Sequence, residues 1–178
     1  DIAMKEVLPE VMTRGIKVVA NAGGINPQGC AEALKALADS LGLSPRIAVV
    51  EGDDVSALMP ALRREGAVDM FTGDVLPEQV LSASAYLGAL PVAAALARGA
   101  DIVITGRGVD SAVTLGVLIH EFGWSPKDYG RLAGGALAGH ILECGCQATG
   151  GLFTDWDSVP DWPNIGYPIL ECHSDGTF

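Results

Sequence analysis

The stretch that decides the fold is "ADIVITGRGVDSAVTLG", residues 100–116. The run from Ile102 to Thr105 is apolar or β-branched and predicts a buried strand, and the apolar residues after Ser111 predict a helix. Between them lie the glycines and charges of "GRGVDS" (106–111). A buried strand followed by a polar turn and a helix is typical of the repeating units of α/β proteins.

The same unit recurs along the chain. Further strands are predicted at 16–21 and 46–51, with a short one at 67–73 and the decisive one at 101–105. Helices are predicted at 1–13, 27–42, 56–66, 77–99, 109–122 and 128–143, and the one at 77–99 is expected to be interrupted near Gly88 to Pro91. Apolar strands separated by helices predict an α/β fold, with a mostly parallel sheet and helices on both faces.

The composition of the chain changes near residue 149. Pro, Trp, Asp and Gly dominate the sequence from there to residue 168, and a strand-like run follows near 167–173. We therefore expect an α/β core domain over 1–148. An irregular extension over 149–178 would contain a final strand and begin a further segment.

Bulk properties exclude several classes of protein. The chain has 178 residues, 49 % of them hydrophobic, and a net charge of −11. Such a chain folds around a real core. The scarcity of clustered Lys and Arg disfavours nucleic-acid binding, and no apolar run is long enough to cross a membrane. Four cysteines without a secretory signal favour free thiols in the cytoplasm.

The ends of the sequence lead to a further expectation. The chain does not begin with Met, and its first residues read as the interior of a helix. We expect part of a longer protein, whose uncovered apolar surface is buried in a homo-oligomer or against other subunits.

Polar, glycine-rich turns follow the predicted strands. Ligands of open parallel sheets bind at the carboxyl ends of the strands, so we expect these turns to share one cleft. The candidate binding residues in the first two turns are Asn21, Gly23, Gly24, Asp53 and Asp54. The first turn lacks the GxGxxG spacing of a dinucleotide fingerprint, which disfavours a nicotinamide cofactor. No cofactor is therefore expected.

The third turn contains a candidate anion site. Its glycines let the backbone approach a ligand, and Arg107 is suited to forked hydrogen bonds with a carboxylate or phosphate. Ser111 lies at the start of the following helix, whose N-terminus favours negative charge. In the structural alternative, Asp110 caps the helix and Arg107 is merely its surface partner.

A second informative stretch is "AGHILECGCQATGG" (138–151). On a helix, His140 and Cys144 lie on one face with Glu143 beside them. This arrangement fits a thiol nucleophile with a base, or a pair of metal ligands completed by Cys146 and the Cys172–His173 pair. Buried, unreactive cysteines are the third interpretation. The C-x-C spacing disfavours a structural zinc, and we expect none.

Six segments together resemble the acyclic terpene utilisation protein A family. They are "VVANAGGINPQGCAEAL", "VVEGDDV", "ASAYLGALPVAAALARGADIVITGR", "DSAVTLG", "IHEFGW" and "AGHILECGCQATGG". The resemblance runs from about Leu8 to Phe178. Matching positions include Asn21, Arg107, Asp110, Glu143, Cys144 and Gln147. The chain departs from the usual pattern of the family at Ser84, Gly108 and Cys146.

The resemblance implies a role in the bacterial breakdown of citronellol- and geraniol-type compounds. The expected substrate is a small molecule, a branched carboxylate or its coenzyme A thioester, and the expected reaction is of the hydratase or lyase type. Arg107 would bind the anionic end, and Asp110 or Glu143 would move a proton. The alternative is a non-catalytic subunit that presents the apolar "ALPVAAAL" face (89–96) to pathway enzymes.

Overall fold

The computed structural model describes residues 2–178. The helices are α1 (Ile2–Arg14), α2 (Pro27–Ser40), α3 (Met59–Arg64), α4 (Leu90–Ala97), α5 (Ala112–Phe122) and α6 (Tyr129–Glu143). The strands are β1 (Val18–Gly24), β2 (Ile47–Val50) and β3 (Ile102–Gly106). Short 3₁₀ turns lie at Ser56–Leu58, Gly145–Gln147, Trp156–Ser158 and Trp162–Asn164. Among these residues, no helix combines the length and apolar character needed to cross a membrane.

The three strands form one parallel sheet in the order β1-β3-β2. The central strand β3 is buried along its whole length, as its unbroken apolar sequence predicts. Val18 and Ile47 both pair with Ile102, so all three strands begin in register. The predicted parallel α/β fold is confirmed.

The chain divides into two compact units. The first comprises residues 1–87 and 99–108, and the second comprises residues 88–98 and 109–178. The sheet belongs to the first unit. The division into 1–148 and 149–178 drawn from composition stays a prediction.

The core of the first unit packs helices α1 and α2 against the sheet. Leu8, Leu34 and Ala38 from the helices pack with Ile102 and Ile104 of β3. Helix α2 begins as its sequence predicts, because the Asn26 side chain accepts a hydrogen bond from Gly29 N at 2.9 Å and a proline follows it.

One carboxylate joins the starts of all three strands. Asp101, just before β3, accepts hydrogen bonds from Lys17 Nζ at 2.8 Å and from Arg46 N at 2.9 Å. The Arg46 guanidinium adds bonds of 3.2 and 3.1 Å from Nε and an Nη atom. The hydrogen bonds from Arg46 and Lys17 hold the pKa of Asp101 well below its usual range. This clamp fixes the amino-terminal end of the sheet.

The second unit is built around the contact between α5 and α6. Leu118, Trp124 and Ala138 form its core, and Trp124 Nε1 donates a hydrogen bond to Ser174 O at 2.9 Å. Gly116 lets α4 approach α5 closely, because a Cβ at this position would lie 2.5 Å from Val92 Cβ. The hydrogen bond from Trp124 holds the segment around Ser174 against the helices of the unit.

Three predicted elements are wrong. The helix predicted over 77–99 is reduced to α4, and the residues before it are extended. The strand predicted at 67–73 is a turn closed by one isolated bridge between Val68 and Val75. The strand predicted near 167–173 is absent, because these residues pair with no strand among those that the structure describes.

Candidate functional site

The carboxyl ends of the strands in the first unit meet in a tightly packed turn region. Gly24 pairs with Gly106 after a bulge in β1. Only glycine fits at position 23, because the backbone there lies close to β3 and a Cβ would be 2.5 Å from Thr105 O. The turn after β1 therefore packs directly on the end of β3, which is the side of the sheet where the sequence predicts ligands.

Asp53 is the buried polar residue at the centre of this region. It is 5 % exposed, and its Oδ2 accepts a hydrogen bond from Arg107 N at 2.8 Å. Its backbone oxygen accepts another from Ala85 N at 2.7 Å. A Cβ on Gly106 would meet the Asp53 carboxylate, at 2.1 Å from Oδ1. Asp53 therefore positions the Arg107 turn rather than presenting a free carboxylate to a ligand.

Residues 82–87, which we call the strap, cross this turn region in an extended conformation. Val55 N donates to Ala83 O at 2.9 Å, and Leu87 N donates to Arg107 O at 3.2 Å. The strap thus joins the loop after β2 to the loop after β3. Ser84, where the sequence departs from the family pattern, lies opposite Asp54 in an isolated antiparallel bridge.

The strap places Tyr86 beside the side chain of Arg107. The guanidinium carbon lies 5.1 Å from the centre of the Tyr86 ring, and a guanidinium N–H donates to the Tyr86 hydroxyl at 2.5 Å. Arg107 is exposed, and among residues 2–178 it forms no ion pair with a carboxylate. Its charge is oriented by an aromatic ring and is available to an external anion.

Two other predicted binding residues face solvent. Asn21 is exposed, and Asp54 is exposed and accepts a hydrogen bond from Ser56 N at 2.9 Å. Hydrogen bonds from Ser56 lower the pKa of Asp54. The first unit therefore brings together Gly23, Asp53 and Arg107, whereas the side chains of Asn21 and Asp54 point outwards from this contact.

The remaining candidates belong to the second unit. Helix α5 has Ser111 as its N-cap, and no side-chain cap bond forms there. The interpretation of Asp110 as the helix cap is therefore wrong. Ser111 packs on α6 at Gly139, where a Cβ would lie 2.6 Å from Ser111 O. This close contact explains why the charge of Asp110 acts on Cys144 at the end of α6.

His140, Glu143 and Cys144 converge at the end of α6. Glu143 Oε1 accepts a hydrogen bond from the Cys144 thiol at 3.0 Å and lies 3.6 Å from His140 Nδ1. The hydrogen bond to Glu143, burial, and the charges of Glu143 and Asp110 raise the pKa of Cys144. The environment keeps Cys144 as a thiol, which disfavours a resting thiolate nucleophile.

The other polar candidates lie apart from this convergence. Gln147 and Cys146 are exposed in the 3₁₀ turn Gly145–Gln147. Cys172 packs against the core of the second unit, where burial raises its pKa. The metal arrangement that adds Cys146 and the Cys172–His173 pair is wrong, since within residues 2–178 the converging donors are those of His140, Glu143 and Cys144.

Two features of the structure were not predicted from the sequence: Tyr86 beside Arg107, and an apolar groove. Tyr86 lies in a stretch predicted as helix, so its approach to Arg107 had no local signal. The groove, in the second unit, has a volume of about 500 Å³. It is lined by Gly151, Leu152, Phe153, Trp156, Trp162 and Ile165. The two tryptophans of "TDWDSVPDWP" were the only sequence signal for it.

Comparisons with known proteins identify one family. The family model described as "Acyclic terpene utilisation family protein AtuA" matches residues 1–178, the whole chain. No curated protein and no solved structure matches the chain.

Proposed function

The chain belongs to the acyclic terpene utilisation family AtuA, and on this premise we propose that it acts on a branched carboxylate or its coenzyme A thioester. The proposed reaction is of the hydratase or lyase type, adding water to or removing a group from the acyl chain. Coenzyme A enters as part of the substrate, and we propose a cytoplasmic location for the protein.

The single observation that carries the proposal is the position and environment of the Arg107 side chain. It lies at the carboxyl end of a parallel sheet, its backbone N–H is held by Asp53, and its guanidinium rests on Tyr86. A guanidinium is suited to paired hydrogen bonds with a carboxylate or phosphate, and both groups occur in the proposed substrates. In a chain of net charge −11, a cation that pairs with no carboxylate of residues 2–178 favours an anionic ligand at this point.

An apolar substrate chain also needs an apolar surface. The groove lined by Phe153, Trp156 and Trp162 has the composition of a hydrocarbon-binding site, with aromatic walls and few polar groups. The groove is shallow and open to solvent, since its lining residues Leu152 and Trp156 are largely exposed. This composition supports the binding of a hydrocarbon chain by the second unit.

Hydration of a carbon–carbon double bond beside a thioester requires two proton movements. A base takes a proton from water as the oxygen attacks one carbon, and an acid gives a proton to the other carbon. Asp110 and Glu143 remain our candidates for the base. The thiol of Cys144, kept protonated by its surroundings, is a candidate proton donor.

The alternative role as a non-catalytic subunit has less support. That role requires the "ALPVAAAL" segment (89–96) to form an exposed apolar face. In the structure Val92, Ala93, Ala95 and Leu96 are buried in α4. The segment contributes to a core, so the observation that would favour an assembly protein is missing from this part of the chain.

The proposal is tested with a panel of branched and straight-chain acyl-CoA thioesters and their free acids. The protein is incubated with each compound, and mass spectrometry detects gain or loss of water or cleavage. We expect product from a branched substrate, and a large loss of product with Arg107→Ala. Arg64→Ala, which removes the same charge from an exposed helix end in the same unit, should be near wild type. Absence of both product and binding across the panel overturns the proposal.

A further inference from the structure

The end of α6 carries three donor groups whose types and positions suit a metal ion. His140 and Cys144 are four residues apart, and Cys144 keeps helical backbone angles (φ −66°, ψ −14°) although it is the C-cap residue that follows α6. Residues at this spacing lie on one face of a helix. Glu143 is directed to the same side, as its contacts with both neighbours show.

The distances between the donor atoms fit one shared ion. Glu143 Oε1 lies 3.0 Å from Cys144 Sγ and 3.6 Å from His140 Nδ1, and one donor atom from each residue lies within 4.8 Å of the others. Bond lengths of about 2.0–2.3 Å in a tetrahedral zinc site place ligand atoms about 3.3–3.8 Å apart. Small changes of side-chain torsion therefore bring the three donors into a common coordination sphere.

The local charge also favours a dication. Glu143 contributes one carboxylate directly, and a second acidic residue, Asp110, directly precedes Ser111, which packs on α6 at Gly139. Within residues 2–178, the one ion pair formed by Glu143 is with His140. No lysine or arginine therefore competes with a metal for this carboxylate in the described part of the chain.

We propose that His140, Glu143 and Cys144 form an exchangeable binding site for one divalent transition-metal ion of the zinc type. Imidazole, carboxylate and thiolate are all zinc ligands, and three protein ligands with an open position are typical of reactive rather than structural sites. On binding, the Cys144 sulfur exchanges its proton, which leaves to solvent, for a bond to the metal. The proton-transfer roles proposed above for Glu143 and Cys144 therefore belong to the metal-free chain.

The openness of the site distinguishes it from a structural zinc. The side chain of His140 is 69 % exposed, so water completes the coordination and the ion is able to leave. A structural zinc is normally closed by four protein ligands. The expectation that no structural zinc is bound is thus compatible with an ion that chelators remove and that dialysis restores.

Co²⁺ is the probe for this site, because a cobalt–thiolate bond gives charge-transfer absorption that a site without sulfur lacks. The chelator-treated full chain is titrated with Co²⁺ and then with Zn²⁺ as competitor. We expect one Co²⁺ per chain, a charge-transfer band, and loss of the band when Zn²⁺ is added. No band in the wild-type protein overturns the proposal.

Matched variants locate the ligands. Cys144→Ser should abolish the band, and His140→Ala and Glu143→Gln should weaken Co²⁺ binding by at least the tenfold typical of losing an outer-shell partner. Cys146→Ser and Cys172→Ser should leave the titration unchanged, as should His173→Ala. A band that survives Cys144→Ser, or disappears with Cys146→Ser, assigns the metal elsewhere and overturns the proposal.

A separate control measures whether each variant folds in the absence of metal. Thermal melts of each metal-free variant show whether the second unit is intact, and the exposed positions of His140 and Glu143 predict melts close to wild type. If Cys144→Ser unfolds the chain, the Co²⁺ titrations of His140→Ala and Glu143→Gln test whether these residues bind the metal. Wild-type Co²⁺ affinity in both of these variants overturns the proposal.

Discussion

The Asp53 carboxylate accepts a hydrogen bond from the backbone N–H of Arg107 at 2.8 Å, although the two residues lie 54 positions apart. This bond ties the loop after β2 to the loop after β3. Asp53 is buried, while the Arg107 side chain is exposed. Asp53 therefore positions the backbone of the turn, and the Arg107 side chain presents a positive charge to solvent.

Replacing Asp53 should destabilise the chain and disturb the Arg107 turn. Asp53→Ala leaves a partly buried N–H without its partner, which costs about 1–3 kcal/mol of unfolding free energy. Asp53→Asn keeps an acceptor oxygen and should cost less. Chemical denaturation of the two variants measures the difference. Equal stability of Asp53→Ala and wild type would contradict the positioning role.

Gly106→Ala should be destabilising for a steric reason. The new Cβ would lie 2.1 Å from Asp53 Oδ1, so the carboxylate or the strand must move. Overpacking of this kind costs about 1–3 kcal/mol. Gly130→Ala is the matched control, because it lies in α6 with nothing within 4 Å of the added Cβ. There the better helix former should stabilise the chain by about 0.5–1 kcal/mol, as thermal melts of both variants would show.

Arg107→Lys should not restore the ligand binding that Arg107→Ala loses. A lysine provides a point charge without the planar fork, and it fits less well on the Tyr86 ring. Loss of a charge-assisted, paired contact costs about 2–4 kcal/mol, which is roughly a 30- to 1000-fold rise in Kd. Calorimetry with an acyl-CoA at one ionic strength gives the three constants. Equal affinities would remove Arg107 from the site.

Tyr86→Phe separates the two ways in which the tyrosine holds Arg107. The ring and its cation–π contact remain, but the acceptor hydroxyl is lost. We expect a loss of ligand affinity worth about 0.5–1.5 kcal/mol, and a larger loss in Tyr86→Ala, which lacks both contacts. Unaltered affinity in Tyr86→Ala would show that Arg107 needs no orientation by the strap.

The contribution of Asp101 to stability should depend on pH. Its pKa is lower in the folded chain than the unfolded value of 3.8, so folding favours the charged form. The stabilisation is therefore complete above about pH 5 and is lost as the pH falls below 4. Asp101→Asn should lower the unfolding free energy by about 1–3 kcal/mol at pH 7, and the difference should shrink in acid.

The control for this experiment is Asp39→Asn. Asp39 forms an exposed pair with Lys35 within one helix, which is worth less than about 1 kcal/mol. Unfolding curves at several pH values compare the two variants with the wild type. A difference between wild type and Asp101→Asn that grows towards low pH would have the wrong sign and would exclude the clamp.

The sheet was predictable because its evidence is local. The apolar runs at Val18, Ile47 and Ile102 set the strands, and the helices between them require parallel pairing. The strap was not predictable in the same way. Its two alanines and its leucine match a helix, but its backbone groups bond to Asp53, Val55 and Arg107 instead of to each other. Tertiary hydrogen bonds overrode local propensity.

The candidate site was predictable only at the level of residue type. The position of Arg107 follows from the end of a parallel strand, yet its partner Tyr86 depends on the misassigned segment. Asp53 and Asp54 are indistinguishable in the sequence, although the structure buries the first and exposes the second. Burial of a carboxylate at a turn is decided by the neighbouring glycine and N–H, which no pattern in one sequence reveals.

The order of the strands bears on how the chain folds as it is synthesised. β1 and β2 do not pair with each other. Both pair with β3, which is the last of the three strands to be synthesised. The contacts that close the sheet join Lys17 and Arg46 to Asp101, across 84 and 55 positions. The conformational entropy of these long loops is lost before strand pairing can stabilise the chain. Folding should therefore be slow for a chain of this size. Until β3 leaves the ribosome, the apolar strands β1 and β2 have no partner, and this interval is when the nascent chain depends most on chaperones.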